Sequence, residues 1–378
     1  MADARPQARD EVAAYLALAQ VPGIGAVRLR TLVAAFESAT GALHAAHGAI
    51  AALPGFTPAA ASAIRGTSAA AGRTILETLD RLGAALLIPG DPGFPPLLAE
   101  VPDPPALLYV WGDVRLLSQP AAAMVGSRNH TAYGAEAARL LAAGVAAGGA
   151  GGAVVVSGMA RGIDAIAHAA ALDAGGRSVG VLGNGFGVIY PAANRTLYER
   201  MVAAGCLVTE LPPGERPHAH TFPRRNRLIS GLAGVTVVIE AAANSGAIIT
   251  ADAALEQGRA VLAVPGPITS PTSLGCNKLI QQGAKPALCP GDVLEELGLP
   301  FQDSPGHRPG VNPPARAAPS DLSPLQRTLW EALAAEAKHV DLLVAGAGAE
   351  AGDVLTALTE LELRGLVRQE PGMVFGVV

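Results

Sequence analysis

The stretch GVTVVIEAAANSGAIIT, residues 234–250, decides the fold. GVTVVIE is a β-branched apolar run of strand length. A cluster of small residues follows, and Ser245–Gly246 then opens a second apolar run of helix length. Strand, glycine-bearing exit and helix together make half of a βα unit. The same grammar repeats outward from it in ALLYVW (106–111), AAAMVG (121–126), AVVVSG (153–158), SVGVLG (178–183), CLVTE (206–210) and AVLAVPG (260–266). Short apolar runs alternating with helical stretches over about 81–298 predict right-handed βαβ units. The expected class is α/β: an extended Rossmann-like, doubly wound, mostly parallel sheet covered on both faces.

The flanks differ. Residues 1–80 read as short helices punctuated by VPGIG (21–25) and LPGF (53–56), a small helical domain of SAM or helix-hairpin-helix type, with a plain helical bundle equally open. Residues 299–320, LPFQDSPGHRPGVNPPARAAPS, hold six prolines and little apolar periodicity, which predicts an extended linker. Residues 321–378 give helix, helix, helix and a terminal hairpin, the order of a winged helix. Its third helix carries Asp353, Glu360 and Glu362 against Arg364 and Arg368, a composition that argues against DNA binding by this module.

Composition narrows the function. The 378 residues are 50% hydrophobic and 16% charged with a net charge of −5, so the class is globular and any nucleic-acid site must be a local cluster. Three scattered cysteines form neither a disulfide framework nor a zinc site, and no apolar leader opens the chain, so a reducing cytoplasm is expected. Residues 140–160 are uncharged over a length that would suit a bilayer, but Gly148, Gly149, Gly151 and Gly152 break them into helix end, loop and strand. No membrane association is expected.

In a doubly wound sheet, ligands bind beyond the carboxyl ends of the strands. Those exits read GSRNHTAYG (126–134), SGMARGID (157–164), GNGFGVIYP (183–191), ELPPGERP (210–217), AAANSGAIIT (241–250) and PGPITS (265–270). Nearly every one pairs glycine with a small hydroxyl or amide residue. This predicts a rim of backbone N–H groups and helix N-termini suited to phosphates. Gly126, Gly158 and Gly246 would allow close approach. Ser127, Ser157, Ser245 and Thr250 would either donate to phosphate oxygens or cap their own helices. Arg128 leaves the first exit, and Arg224, Arg225, Asn226 and Arg227 stand in FPRRNRLISG (222–231); of these, Arg227 and Asn226 are expected to face the ligand and Arg224 to be solvated. The dinucleotide fingerprint and Walker A are both absent. Asp164 and His168 lie four apart on one helix without a second ligand pair, which favours a satisfied core histidine over a metal ligand. No nucleophile–base–acid set and no cofactor site stands out.

Taken in order, VGSRNHTAYG, VSGMARGIDAIAHAAAL, GNGFGVIYPAAN, ELPPGERPHAHTFPRRNRLISGL, VVIEAAANSGAIITADAALEQGR and VPGPITSPTSLGCNKLIQQGA closely resemble the DprA (Smf) family of DNA-processing proteins over about 81–290. The resemblance implies a cytosolic, non-enzymatic protein. Such a protein binds and protects single-stranded DNA and loads the RecA recombinase onto it in natural transformation, typically as a homodimer. It places the DNA pocket at Gly126, Ser127 and Arg128, at the loop holding Gly185, Phe186, Asn194 and Arg195, at Arg225–Arg227, and at Ser245–Gly246. Phe186 is a candidate stacking surface, with core filler as the open alternative. Many relatives have lysine where this chain has Ala192, a charge that Arg195 or Arg224–Arg225 would supply. The segment 279–297 is the expected dimer and recombinase surface. The other enzyme class with similar glycine-rich exits, the lysine-decarboxylase-like nucleotide (phosphoribo)hydrolases, uses a PGGxGT-type block where this chain has NSGAIIT.

Overall fold

The computed structural model describes residues 6–147, 152–300, 319, 321–335, 338–370 and 372–377. The chain divides into two compact units, Met1–Gln302 and Asp303–Val378. Most of the expected linker, and residues 148–151 of the uncharged stretch, lie outside the described residues.

The first unit opens with helices α1 (Pro6–Ala19), α2 (Ala26–Ala35), α3 (Ala39–His44), α4 (His47–Ala51), α5 (Pro58–Arg65) and α6 (Ala69–Leu82). Side chains of Ser38, Thr57 and Ser68 cap α3, α5 and α6 by accepting from backbone N–H groups two or three residues on, as short hydroxyl residues do at N-caps. Helix α6 lies directly on α1. A Cβ at Gly72 would sit 1.9 Å from the Ala13 carbonyl oxygen, so only glycine permits this crossing.

The sheet follows: β1 (Ala85–Leu87), α7 (Pro96–Ala99), β2 (Leu108–Gly112), β3 (Ala121–Gly126), α8 (Ala132–Ala147), β4 (Val154–Ser157), α9 (Ile163–Asp173), β5 (Ser178–Val181), α10 (Arg195–Ala204), β6 (Cys206–Thr209), α11 (Thr221–Gly231), β7 (Val235–Glu240), α12 (Gly246–Glu256), β8 (Ala260–Ala263), α13 (Leu274–Gln281), β9 (Lys285–Pro286) and α14 (Pro290–Glu296). Spatial order is β1-β2-β6-β5-β4-β3-β7-β8-β9. All pairings from β6 to β9 are parallel, and β1–β2 and β2–β6 are antiparallel. This is the doubly wound sheet the exits predicted. Residues alternate between two cores: Ala122, Met124, Val155 and Val237 face one, and Ala123, Val125, Val156 and Val238 the other. The N-terminal helices share a third core with Leu107, Tyr109, Leu207, Met201 and Phe186, so they continue the sheet's covering layer.

Beneath the sheet a buried polar chain links α9 to β5. His168 Nδ1 and Ser178 Oγ are 2.7 Å apart, and Ser178 Oγ donates to the Val155 carbonyl. Burial, with Arg225 nearby, depresses the His168 imidazole from 6.5 to about 3. The histidine is a neutral core residue, not a metal ligand.

The second unit contains α15 (Pro324–Ala335), β10 (Lys338–His339), α16 (Val340–Ala347), α17 (Ala351–Leu363), β11 (Val367–Glu370) and β12 (Val374–Val377). Its sheet order is β10-β12-β11, the wing of a winged helix, over a core of Leu329, Trp330, Leu343, Val354, Leu358 and Phe375. Residues 321–378 carry nine carboxylates against four Lys or Arg, a balance of −5 equal to that of the whole chain, so residues 1–320 are neutral overall. Among the described residues no single helix is long and apolar enough to cross a membrane.

Two stability predictions follow from this packing. Gly72→Ala forces α1 and α6 apart and is expected to cost about 1–3 kcal/mol, read as a lower midpoint in urea. Between pH 6.5 and about 3 the unfolded chain holds a proton at His168 that the folded protein refuses, so stability is lost as pH falls through that window. His168→Gln should therefore show a smaller fall in Tm between neutral and acid pH than the native chain.

Candidate nucleic-acid interface

The chain winds from β3 outward through β4, β5 and β6, then returns to place β7 on the other side of β3. The exits of β3 and β7 diverge at this switch point, where a doubly wound sheet opens a crevice. A bulge between Val125 and Gly126 widens it further, with Gly126 opposite Glu240. A cavity of about 710 Å³ lies there, lined by Gly126–Asn129 from the β3 exit, Ser245–Ala247, Ile249 and Thr250 from the β7 exit and α12, and Phe222, Arg225 and Asn226 from α11. A smaller cavity of about 250 Å³ adjoins it through Arg128, Ala160, Tyr190 and Phe222.

Two of the strand exits at this crevice already give N–H groups to the protein's own carboxylates. At α8, buried Glu240 accepts from Thr131 N at 3.0 Å and Thr131 Oγ1 at 3.1 Å. In the loop between β4 and α9, buried Asp164 accepts from Gly158 N at 3.1 Å and Ala160 N at 3.3 Å. Burial pushes the Asp164 carboxyl up, and the neighbouring Arg225 pulls it back down. Gly158, expected to expose its N–H to phosphate, instead gives it to Asp164. A Cβ there would meet both Asp164 and Arg225. The continuous rim of free N–H groups is therefore corrected: those of Thr131, Gly158 and Ala160 are taken by carboxylates, whereas the α12 N-terminus is open. Ser245 stands at its N-cap in extended conformation yet makes no capping bond, and its buried Oγ has no partner among the described residues. Space around Gly246 is open. An unused hydroxyl at an uncapped N-terminus of an 11-residue helix is a ready anion site. Thr250 is buried, and its hydroxyl is turned back to the Gly246 carbonyl at 3.4 Å. Ser127 Oγ accepts from Asn129 N at 3.1 Å and so shapes the turn that presents Arg128; Ser157 Oγ is spent on the Met124 carbonyl.

Helix α11 separates this cavity from another of about 560 Å³ on its far side. Helical periodicity divides the arginines between them. Arg225 is buried in the wall and donates to the carbonyls of Gly158 and Val181, with Asp164 close by. Burial lowers its guanidinium to about 10, partly offset by Asp164, so it remains charged at neutral pH. Asn226 faces the switch-point cavity and donates to the Gly246 carbonyl at 3.2 Å. Arg227, expected to face the ligand there, lines the far cavity instead. Its Nη2 donates to both oxygens of Glu210 at 2.7 and 2.9 Å, and its Nε lies 3.2 Å from Asp103. Arg224 is exposed, as expected, and lines the same far cavity.

The loop after β5 requires two further corrections. Phe186 is 2% exposed and packs edge-on against Trp111 at 5.7 Å, so it is core and offers no face to a base. Gly185 is buried, and a Cβ there would strike the Pro212 carbonyl oxygen. Asn194 supports the site indirectly, donating to the carbonyls of Met159 and Ala160 at 2.9 and 3.2 Å. The ring surface that sequence reasoning missed is Tyr190, 47% exposed, with Phe222 at 5.6 Å and the Arg128 guanidinium 5.7 Å from the Phe222 centroid. His218 and His220 stack at 5.6 Å beside it. Two further cations were also missed. Arg161 and Arg216 leave the β4 and β6 exits exposed, as Arg128 and Arg195 leave those of β3 and β5, and none of the four makes an ion pair among the described residues. The signal was available, since each stands within an exit block.

The switch-point site sits within sequence that matches known proteins. The family described as DNA recombination-mediator protein A matches residues 85–298, and the DprA winged helix domain matches residues 313–373. Protein Smf of Synechocystis is 35% identical over 97% of this chain and 98% of its own. The structure of DNA processing protein A from Streptococcus pneumoniae superposes with a TM-score of 0.67 at 33% identity, covering 78% of this chain and 99% of that one. DNA processing protein A from Helicobacter pylori, whose structure addresses its single-stranded DNA binding mode, gives a TM-score of 0.51 at 27% identity, over 58% of this chain and 97% of that one. Matched along more than half its length and paired nearly end to end with a relative, the chain belongs to the DNA recombination-mediator protein A (DprA/Smf) family.

Proposed function

We propose that the protein binds single-stranded DNA at the switch-point cavity, delivers it to a RecA-type recombinase, and does so as a homodimer without turning the strand over chemically. The observation that carries the binding step is the unplugged helix N-terminus at α12, with its idle Ser245 hydroxyl, set across the crevice from Arg128, which has no ion pair among the described residues. A phosphate there receives a helix N-terminus, a hydroxyl and a guanidinium together. Arg161, Arg195 and Arg216 extend the cationic edge for neighbouring phosphates. Tyr190 and Phe222 give bases a face to stack on, which a closed duplex cannot use. The single-stranded DNA binding mode addressed in the H. pylori relative supports the same ligand class. Binding without turnover suits the chemistry present: Asp164, His168 and Glu240 are buried with their hydrogen bonds committed.

The dimer reading is supported by apolar side chains at the β8–β9 edge of the sheet, where Ile268 is 86%, Leu288 56% and Leu274 48% exposed. Within the expected surface 279–297, Leu279, Val293 and Leu294 are buried and hold α13 and α14 to the sheet, leaving Leu288 as the outward contact. Two aligned protomers would lengthen the phosphate track and raise affinity through effective concentration.

Arg128→Glu with Ser245→Ala is expected to weaken single-strand binding at least about tenfold and to lower the salt slope by about one, in mobility shifts at two salt concentrations. Unchanged affinity would rule out this site. Tyr190→Ala is expected to cost about 1–3 kcal/mol on single strands and little on duplex, whereas Phe186→Ala lowers stability but not the affinity of the folded fraction. Ile268→Asp with Leu288→Asp is expected to shift sedimentation to the monomer. Nucleoside monophosphates are expected to remain unhydrolysed; sustained turnover would contradict the non-enzymatic reading.

A further inference from the structure

From the far side of α11, we infer that the 560 Å³ cavity between the α1–α2 turn and α11 is a second phosphodiester site, carrying the strand onward from the switch-point cavity. This rests on the reading of the protein as a single-strand binder. The cavity has the volume of a small-ligand pocket and is lined by residues 19–26 on one wall and by Glu210, Thr221, Arg224 and Arg227 on the other.

Its charges point to an anion. Arg227 Nε and Nη2 are held by Asp103 and Glu210, but its buried Nη1 has no partner among the described residues. A buried guanidinium N–H without an acceptor leaves donor capacity unspent in the cavity wall. Both Glu210 oxygens already accept from Arg227, and Asp103, the other carboxylate of the lining, is paired with the same guanidinium, so two carboxylates stand against Arg224, Arg225 and Arg227. Arg224 adds an exposed guanidinium with no ion pair among the described residues. Opposite them, α2 starts at Gly25, an extended N-cap with no side-chain cap and open space around it. The turn before it is held in place: Gly23 has φ +81°, and Arg28 Nη1 donates back to the Gly23 carbonyl at 2.8 Å.

The two cavities are neighbours. Arg225 lines both, and Leu182 and Gly183 line the far cavity as well as the small one beside Tyr190. A strand leaving Tyr190 therefore has only the first turn of α11 to cross. A monoanion with several acceptors, continuous with the first site, is a phosphodiester of the same chain.

The test compares oligothymidylates of about six and about 20 nucleotides on the full-length protein. Gly25→Asp is the informative variant. Aspartate is a favoured N-cap, so the fold gains while a carboxylate takes the place of the phosphate. Gly25→Asp and Arg224→Glu are each expected to weaken the long strand about tenfold and leave the short one unchanged, with Arg224→Glu lowering the long-strand salt slope by about one. Equal long-strand affinity in the native chain and both variants overturns the second site, as does equal weakening on both lengths. Failure of the native protein to bind either length would instead sink the single-strand reading itself.

Discussion

Arg225 carries a permanent charge into the interior, and a guanidinium there must be given acceptors and a counter-charge or the surrounding structure does not close. The Gly158 and Val181 carbonyls and the nearby Asp164 provide both. They belong to the ends of β4 and β5 and the start of α9, so one side chain fastens α11 to two strand–helix junctions. The position of α11 in turn defines both cavities. Phe222 and Asn226 face one, and Arg224 and Arg227 the other, because a helix fixed at Arg225 has no rotational freedom left.

The same logic explains where an anion is welcome. Parallel sheets aim several helix N-termini at one edge, and an edge with every terminus open would bind phosphate at many competing positions. Glu240 and Asp164 act as internal anions at the start of α8 and in the loop before α9. They take up the N–H groups of Thr131, Gly158 and Ala160, whereas the α12 N-terminus keeps its opening.

Much of this was legible in the chain. The repeated strand runs gave the doubly wound sheet, and the exits marked the edge where the switch-point cavity lies, because periodicity and glycine-rich turns are local properties. What the exits could not reveal was occupancy. Whether Ser245 caps its own helix or stays idle, and whether an N–H is taken by a carboxylate 109 residues away, as Thr131 is by Glu240, are tertiary facts. The choice among arginines failed for a related reason. RRNR reads as one basic cluster until it is wound at about 100° per residue, when its members point to different compartments. Phe186 and Tyr190 sit in the same loop and differ only by a hydroxyl, but that polar handle suits a ring to a wet rim where a bare phenyl sinks into the core.

The partition of charge has a colloidal consequence. With nine carboxylates against four cations in residues 321–378 and a neutral balance before them, the body that holds the switch-point cavity stands near its own isoelectric condition at pH 7. Such a surface has no long-range self-repulsion to keep copies apart in solution. It also avoids an acidic field that would turn away an incoming polyanion. Keeping the excess negative charge in the winged-helix segment lets one chain be a dispersed polyelectrolyte as a whole and electrically indifferent over the body that carries the sheet.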